Sequence, residues 1–224
     1  MPEPPRYREF LAYVFAREEL PWDVLDEPDP FAGMTSERPA DVVALYQFVF
    51  THLRQDVAGL PVPHIARGLR RLFYPEEGDT VFALRHDAAP LEARCAALRA
   101  MGGLYADLFA PHCAAVLLHL SERGGNALNE VCYMLWDATP LSYVRGMAEE
   151  EAAATRDAVL AVLSEACRSD HIACVESALH GLGHMAPYHP AEVQKIIDDA
   201  QRQRPGLDPR LRRYAEAARR GLVQ

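Results

Sequence analysis

Three histidines and one glutamate lie close together in the last quarter of the chain, and their spacing permits metal binding. His180 and His184 are four residues apart, so on a helix their rings project from the same face. Glu176 lies one turn earlier on that face, and His189 follows after a short turn. Imidazole and carboxylate groups bind zinc and related divalent ions, so these four residues are candidate metal ligands. The metalloprotease motif is absent, because Gly181 follows the first histidine where that motif has its catalytic glutamate.

A structural role explains the same residues without any ligand. The histidines border the apolar stripe of their helix, and Gly181 and Gly183 allow a neighbouring helix to approach closely. His189 stands directly before Pro190, where the residue that caps a helix is expected. We therefore expect no cofactor and no catalytic residue. Zinc or another divalent metal, with or without a metal-dependent activity, is the alternative.

The charge balance of the chain indicates the class of partner. The formal net charge is -9 at pH 7, which repels nucleic-acid phosphates and anionic lipids. Six acids lie within residues 18–29, whereas cations outnumber acids from Lys195 to the end. This balance favours a basic protein partner and argues against nucleic-acid or membrane binding.

Cysteine usage and the N-terminus predict a cytoplasmic location. The five cysteines are scattered among apolar neighbours with no C-x-x-C pair, which is typical of buried, reduced thiols. Residues 1–8 are proline-rich and charged, and no apolar signal segment follows them. The apolar run at residues 113–118 is far too short to span a bilayer. We expect a soluble protein.

Proline marks the starts of the predicted helices, because its missing N–H would be unpaired in the first turn anyway. Asp208 adds a capping carboxylate before Pro209. Apolar residues at three- and four-residue spacing follow such starts, as at Ile172 and Val175. Residues 80–84 form the only candidate strand, and this segment is short. The predicted fold class is therefore all-α. About ten helices are predicted, over residues 6–18, 39–58, 63–73, 90–104, 111–122, 127–137, 147–167, 171–186, 190–203 and 209–221.

Two segments look like copies of each other. Residues 97–104 (ALRAMGGL) align with residues 178–185 (ALHGLGHM), 81 positions later, and residues 130–136 offer a more divergent copy between them. Spacings of about 40 residues match the helix-pair unit of HEAT and armadillo arrays. Through residues 176–184 (ESALHGLGH) the chain resembles this superfamily, and the resemblance covers residues 60–203. It implies an α-solenoid, which is a right-handed stack of antiparallel helix pairs with an exposed concave face.

The two ends of the chain are expected to close this stack. Residues 39–224 form the predicted repeat domain, which departs from the pattern in a long insertion at residues 74–88. Helix 209–221 is the predicted C-terminal cap, with apolar residues on one side and arginines on the other. Residues 1–38, rich in proline and acids, are the predicted lead-in or cap at the other end.

The resemblance and the charge together favour a non-catalytic protein–protein interaction module. Its acidic balance suits an inhibitor or immunity-type protein for a basic bacterial partner. The superfamily also includes DNA glycosylases that hold alkylated bases in a groove, and Arg67, Arg70 and Arg71 offer a basic patch for one. The negative net charge, the near absence of lysine and the lack of aromatic residues among the basic ones weaken that interpretation.

Overall fold

The protein consists of helices and turns over residues 2–16, 30–144 and 146–223, which the computed structural model describes, and no strand occurs in these ranges. The predicted all-α class is confirmed. The α-helices of these ranges are α1 (Tyr7–Leu11), α2 (Met34–Glu37), α3 (Pro39–Asp56), α4 (Val62–Phe73), α5 (Leu91–Ala100), α6 (Ala110–His112), α7 (Ala127–Ala138), α8 (Glu149–Ala166), α9 (Ile172–Met185), α10 (Pro190–Gln203) and α11 (Pro209–Arg219). The shorter helical segments are the π-helical Ala12–Ala16 and Leu104–Phe109 and the 3₁₀ turns Thr80–Arg85, Leu118–Leu120 and Pro140–Ser142.

Local sequence signals explain where several of these helices begin. Pro39, Pro190 and Pro209 occupy the first turns of α3, α10 and α11, where an N–H would have no partner. The Asp208 carboxylate accepts a hydrogen bond from the backbone N–H of Arg210, which caps α11 as predicted. An asparagine capping box starts α7. Helix starts were therefore well predicted by proline and by short polar side chains.

The predicted helix over residues 111–122 is wrong. Only the single turn α6 and one 3₁₀ turn are helical there, and the backbone of Cys113 and Leu117 is extended. The Asn129 side chain accepts a hydrogen bond from the Ala114 N–H at 2.9 Å and donates one to the Ala114 carbonyl at 2.8 Å. These bonds satisfy backbone groups that a helix would otherwise pair. The helical segment that follows α5 is instead residues 102–112, in which the π-helix Leu104–Phe109 runs directly into α6.

The insertion predicted at residues 74–88 contains a 3₁₀ helix where residues 80–84 were the candidate strand. Thr80, Val81 and Leu84 are buried in it. The Tyr46 hydroxyl of α3 lies 2.9 Å from the Thr80 hydroxyl and donates a hydrogen bond to the backbone carbonyl of Leu72 at 2.6 Å. The apolar residues of this segment therefore pack onto α3 from a helical turn and not from a strand.

Helix packing follows two series of neighbours. In the first series α3 packs on α5, α5 on α8 and α8 on α10. In the second series α4 packs on α7, α7 on α9 and α9 on α11. Contacts of α9 with α8 and of α10 with α9 and α11 join the two series. Helix α9 therefore lies among four others, and its polar side chains must find partners inside the protein.

The two glycines of α9 permit close helix contacts, as the sequence predicted. A Cβ at Gly181 would lie 2.7 Å from a ring atom of Trp136 in α7 and 2.8 Å from a methyl group of Leu163 in α8. A Cβ at Gly183 would lie 2.4 Å from Val223 in the tail after α11. Such distances are too short for real carbon contacts. Glycine therefore brings the end of α7 and the C-terminal tail against α9.

Both ends of the described chain belong to the same hydrophobic core. Phe10 and Phe31 are fully buried, and the ring centroid of Phe10 lies 5.9 Å from that of Tyr46 in α3. At the other end α11 buries Tyr214 and packs on α9 and α10. The acidic residues within 18–29, on which the predicted charge asymmetry depends, lie outside the described residues.

The five cysteines are free, buried thiols, as predicted. Burial raises the pKa of the Cys132 thiol well above its usual value and that of Cys167 to about 12. The Cys132 and Cys167 thiols therefore stay protonated at neutral pH and are poor nucleophiles. In the described part of the chain, no helix has both the length and the apolar character needed to cross a membrane.

Candidate functional site

A row of polar side chains runs from α7 through α9 to α11. His180 is 1% exposed, and its Nδ1 lies 2.7 Å from the hydroxyl oxygen of Tyr214. Its Nε2 lies 3.1 Å from Nε2 of His184, which in turn lies 3.3 Å from a carboxylate oxygen of Asp137 at the end of α7. One ligand atom from each of Asp137, His180 and His184 lies within 4.8 Å of the other two. The four-residue spacing does bring the two histidine rings together.

Glu176 takes part in a different contact. Its buried carboxylate accepts a hydrogen bond from the backbone N–H of His119 at 2.9 Å and lies 2.6 Å from Nδ1 of the same residue. The His119 ring stacks on Tyr214 with centroids 4.0 Å apart. Glu176 therefore fixes the segment before α7 onto α9 and takes no part in the contact between the two histidines of α9.

Of the four ligands predicted from sequence, the structure brings His180 and His184 together. Glu176 binds His119, and His189 lines a neighbouring cleft without joining the group. Asp137 was missed by sequence reasoning. One indication was present in the sequence, which was the alignment of residues 130–136 as a repeat copy. Neighbouring repeats pack on each other, so α7 would be expected near α9. That alignment does not give the register between the two helices, and the register decides which residue faces His184.

Burial sets the protonation states in this row. Desolvation, together with the neighbouring His184, lowers the pKa of His180 to about 4, because a cation would form away from water. Desolvation and the Tyr133 hydroxyl raise the pKa of Tyr214 well above its usual value. At neutral pH both side chains are uncharged. His180 therefore offers one donor and one acceptor nitrogen.

Acidification is expected to destabilise the fold through His180. The unfolded imidazole takes up its proton near pH 6.5, whereas the folded one does so near pH 4. The unfolded state binds more protons in this interval, so the free energy of unfolding falls as pH falls from 6.5 to 4. Urea unfolding of the metal-free protein at several pH values measures this slope. A His180→Gln variant is expected to show a shallower slope, and an unchanged slope would contradict the assignment.

An open cleft of about 780 Å³ adjoins the histidine pair. Asp137, His184 and His189 form part of its wall. Tyr143 and Tyr188 also line it, and they are 47% and 73% exposed. Two exposed aromatic rings beside a carboxylate and two imidazoles give the cleft both apolar and polar groups for a ligand.

Three helices end at this cleft. Its walls include Asp137 at the end of α7, His184 at the end of α9 and Gly221 two residues after α11. His189, the N-cap of α10, also lines the cleft, so three helix C-termini lie there against one N-terminus. The C-terminus of a helix carries a partial negative charge from its unpaired carbonyl groups. The Asp137 carboxylate adds to this potential. The cleft therefore favours a positively charged group.

Thr139 adds an unused polar atom to the same cleft. The residue is 5% exposed, lines the cleft, and its hydroxyl oxygen has no hydrogen-bond partner. Buried polar atoms are nearly always paired in folded proteins. This hydroxyl oxygen is itself buried, so it is an unsatisfied polar atom in the wall of the cleft and not a group that a ligand contacts in this conformation.

The arginine patch near α4 is engaged within the protein. Arg70 forms a salt bridge with Glu77 at 2.7 Å, and Arg71 donates a hydrogen bond to the Val14 carbonyl at 3.1 Å. These contacts hold two of its three predicted members against neighbouring segments. They give the DNA-glycosylase interpretation no further support.

No protein-family model, no curated protein and no solved structure matches this chain. Its function is therefore inferred from its own residues, above all from the cleft at the ends of α7, α9 and α11.

Proposed function

We propose that this protein is a non-catalytic interaction module whose cleft binds a lysine or arginine side chain of a basic protein partner. The observation that carries the proposal is the convergence of three helix C-termini on a cleft that contains the Asp137 carboxylate. Helix C-termini and carboxylates both stabilise cations. The free thiols support a cytoplasmic location for the interaction.

The exposed tyrosines suit the same ligand. A cation over the face of an aromatic ring gains about 0.5–1 kcal/mol at an exposed site. The protein contains an example beside the cleft, since the Arg85 guanidinium lies 5.7 Å from the ring centroid of Tyr143. Tyr188 offers a more exposed ring of the same kind.

The charge of the whole chain supports a basic partner as well. A net charge of -9 attracts such a partner over several ångströms and speeds its association at low salt. Arg219, the last residue of α11, is paired with Asp198 at 2.7 Å and with Glu216 at 3.2 Å. These pairs reduce its repulsion of a cation in the cleft. An inhibitor or immunity-type role is the specific form of this proposal in which the basic partner is an enzyme.

We further propose that the helices form a HEAT-like stack with a different pairing from the predicted one. Short connections and direct contacts support α8 with α9, and α10 with α11, as two of its antiparallel pairs. The sequence repeat, whose clearest predicted copies are residues 90–122 and 171–203, instead pairs α9 with α10. In this arrangement the cleft lies at one edge of the second series of helices, where a partner segment can reach it.

Binding of fluorescent peptides tests the proposed function. Three unstructured peptides of equal length are compared by anisotropy in low salt and chelator: one rich in lysine and arginine, one rich in glutamate, and one uncharged. We expect the cationic peptide alone to bind, and added salt to weaken it. Tyr188→Ala is expected to raise its Kd about two- to fivefold, which corresponds to the loss of one cation–π contact. Asp137→Asn is expected to raise it further.

The matched control is Leu120→Ala, which removes an exposed apolar side chain that does not line the cleft. We expect this variant to bind the cationic peptide as the wild type does. Equal binding of all three peptides would overturn the proposal. An effect of Leu120→Ala as large as that of Tyr188→Ala would overturn it too.

A further inference from the structure

We infer that Asp137, His180 and His184 form a binding site for a divalent transition-metal ion of the zinc class. His184 Nε2 lies 3.1 Å from His180 Nε2 and 3.3 Å from an Asp137 carboxylate oxygen. Zinc binds nitrogen and oxygen ligands at about 2.0–2.1 Å, which puts neighbouring ligands of a tetrahedral site about 3.3 Å apart. Two of the three ligand separations therefore already have nearly this value, and all three fall within 4.8 Å.

Neighbouring side chains hold His180 in position for such a role. Its Nδ1 lies 2.7 Å from the Tyr214 hydroxyl, and in the tautomer that donates this hydrogen bond the lone pair of Nε2 faces His184. Metal-binding histidines are usually fixed through their second nitrogen in this way. The Tyr133 ring packs on His180 with centroids 4.5 Å apart, which restricts rotation of the imidazole. The buried ligand is therefore preorganised.

The donor set and its exposure define the ion and the type of site. Two imidazoles and one carboxylate select zinc, cobalt, nickel or copper over magnesium and calcium, which prefer oxygen ligands alone. Asp137 and His184 also line the cleft, with side chains 43% and 35% exposed, so an ion reaches them from solvent. Three protein ligands leave one position of a four-coordinate site for a further ligand. That arrangement is typical of zinc sites that bind a further ligand.

The metal site does not rest on the proposed interaction function. Both use Asp137, so a metal ion and a cationic side chain compete for the same carboxylate. His180 and Tyr214 contribute only to the proposed metal site, and Tyr188 contributes only to the proposed binding of the partner. Variants at these positions therefore distinguish failure of one proposal from failure of the other.

Titration of the tag-free, chelator-treated chain with Zn²⁺ alone by calorimetry tests the inference, with Co²⁺ absorption as a second readout. We expect one ion per chain and the intense visible bands of tetrahedral cobalt. His184→Ala is expected to raise the Kd roughly tenfold or more, and Tyr214→Phe about tenfold through the lost support of His180. His189→Ala is the matched control, because this histidine lines the cleft outside the group. Its Kd is expected to equal that of the wild type.

Absence of stoichiometric zinc binding by the folded wild type would overturn the site. A Kd that rises with His189→Ala and not with His184→Ala would overturn it as well. Circular dichroism establishes that each variant is folded. If His184→Ala unfolds, Asp137→Asn serves instead, because this half-exposed carboxylate is replaced by an amide of equal size. Unchanged zinc affinity in a folded Asp137→Asn variant would also contradict the inference.

Discussion

Replacement of His119 by alanine is expected to lower the free energy of unfolding by about 1–3 kcal/mol. His119 and Glu176 form a pair in which the side chains are 9% and 1% exposed. Removing the imidazole leaves the buried Glu176 carboxyl group with only the backbone N–H at position 119 as a partner, and a buried polar group that loses a hydrogen-bond partner is costly. Chemical denaturation followed by circular dichroism measures the loss.

A double-mutant cycle separates the pair from the packing of the ring. His119→Ala also removes the stacking on Tyr214, so Glu176→Gln is made alone and in combination. We expect His119→Ala to cost less in the Glu176→Gln background, because the interaction between the imidazole and the carboxyl group is then already removed. His112→Ala is the control: this histidine is exposed, and its removal is expected to change stability by less than about 0.5 kcal/mol. A cost of His119→Ala that is independent of residue 176 would refute the proposed pair.

Gly181→Val is expected to destabilise the protein by about 1–3 kcal/mol. Its Cβ would meet the ring of Trp136 and a methyl group of Leu163 at distances below 3 Å, and neither α7 nor α8 can move away without losing its own contacts. The thermal midpoint and the denaturation midpoint are both expected to fall. The Asp137–His184 distance depends on this contact, so zinc affinity is expected to fall as well.

Gly102→Ala is the matched control for a helical glycine. A Cβ at Gly102 meets no atom within 4 Å, so alanine is expected to stabilise the protein by about 0.4–1 kcal/mol through lower entropy of the unfolded chain. Opposite signs for the two substitutions are therefore predicted. Stabilisation by both would mean that α7 and α8 do not pack as closely on α9 as described.

The sequence predicted those features of the fold that depend on neighbouring residues. The prolines at positions 39, 190 and 209 predicted helix starts because their effect is local. The pair His180 and His184 was placed on one face because four residues make about one turn. Gly181 was identified as a point of close approach, although its partner Trp136 was not.

The features that the sequence did not predict depend on contacts between distant segments. Residues 113–118 have a helical composition, but the Asn129 side chain satisfies both backbone groups of Ala114 outside a helix. Glu176 was assigned to the histidine group because it lies one turn before His180. Its carboxylate instead meets His119, which is 57 residues earlier in the chain. Such pairings follow from helix register, and periodicity within one helix contains no information about register.

The juxtaposition of Asp137 with His184 has the same origin. Asp137 follows a buried tryptophan at the end of α7, and its sequence neighbours do not distinguish it from a solvent-exposed helix end. The contact of Trp136 with Gly181 fixes how far α7 extends along α9. That contact brings the Asp137 carboxylate level with His184. The packing of Trp136 on Gly181 therefore determines which residue of α7 lies beside His184.

The central claim is that the cleft between the ends of α7, α9 and α11 recognises a cationic group of a partner. Amide chemical-shift mapping of the ¹⁵N-labelled chain, titrated with the lysine- and arginine-rich peptide in chelator, tests it most directly. We predict saturable shifts concentrated in residues 136–144 and 183–189, with few elsewhere. Shifts confined to other surfaces, or no shifts at peptide concentrations that saturate the anisotropy signal, would contradict the claim.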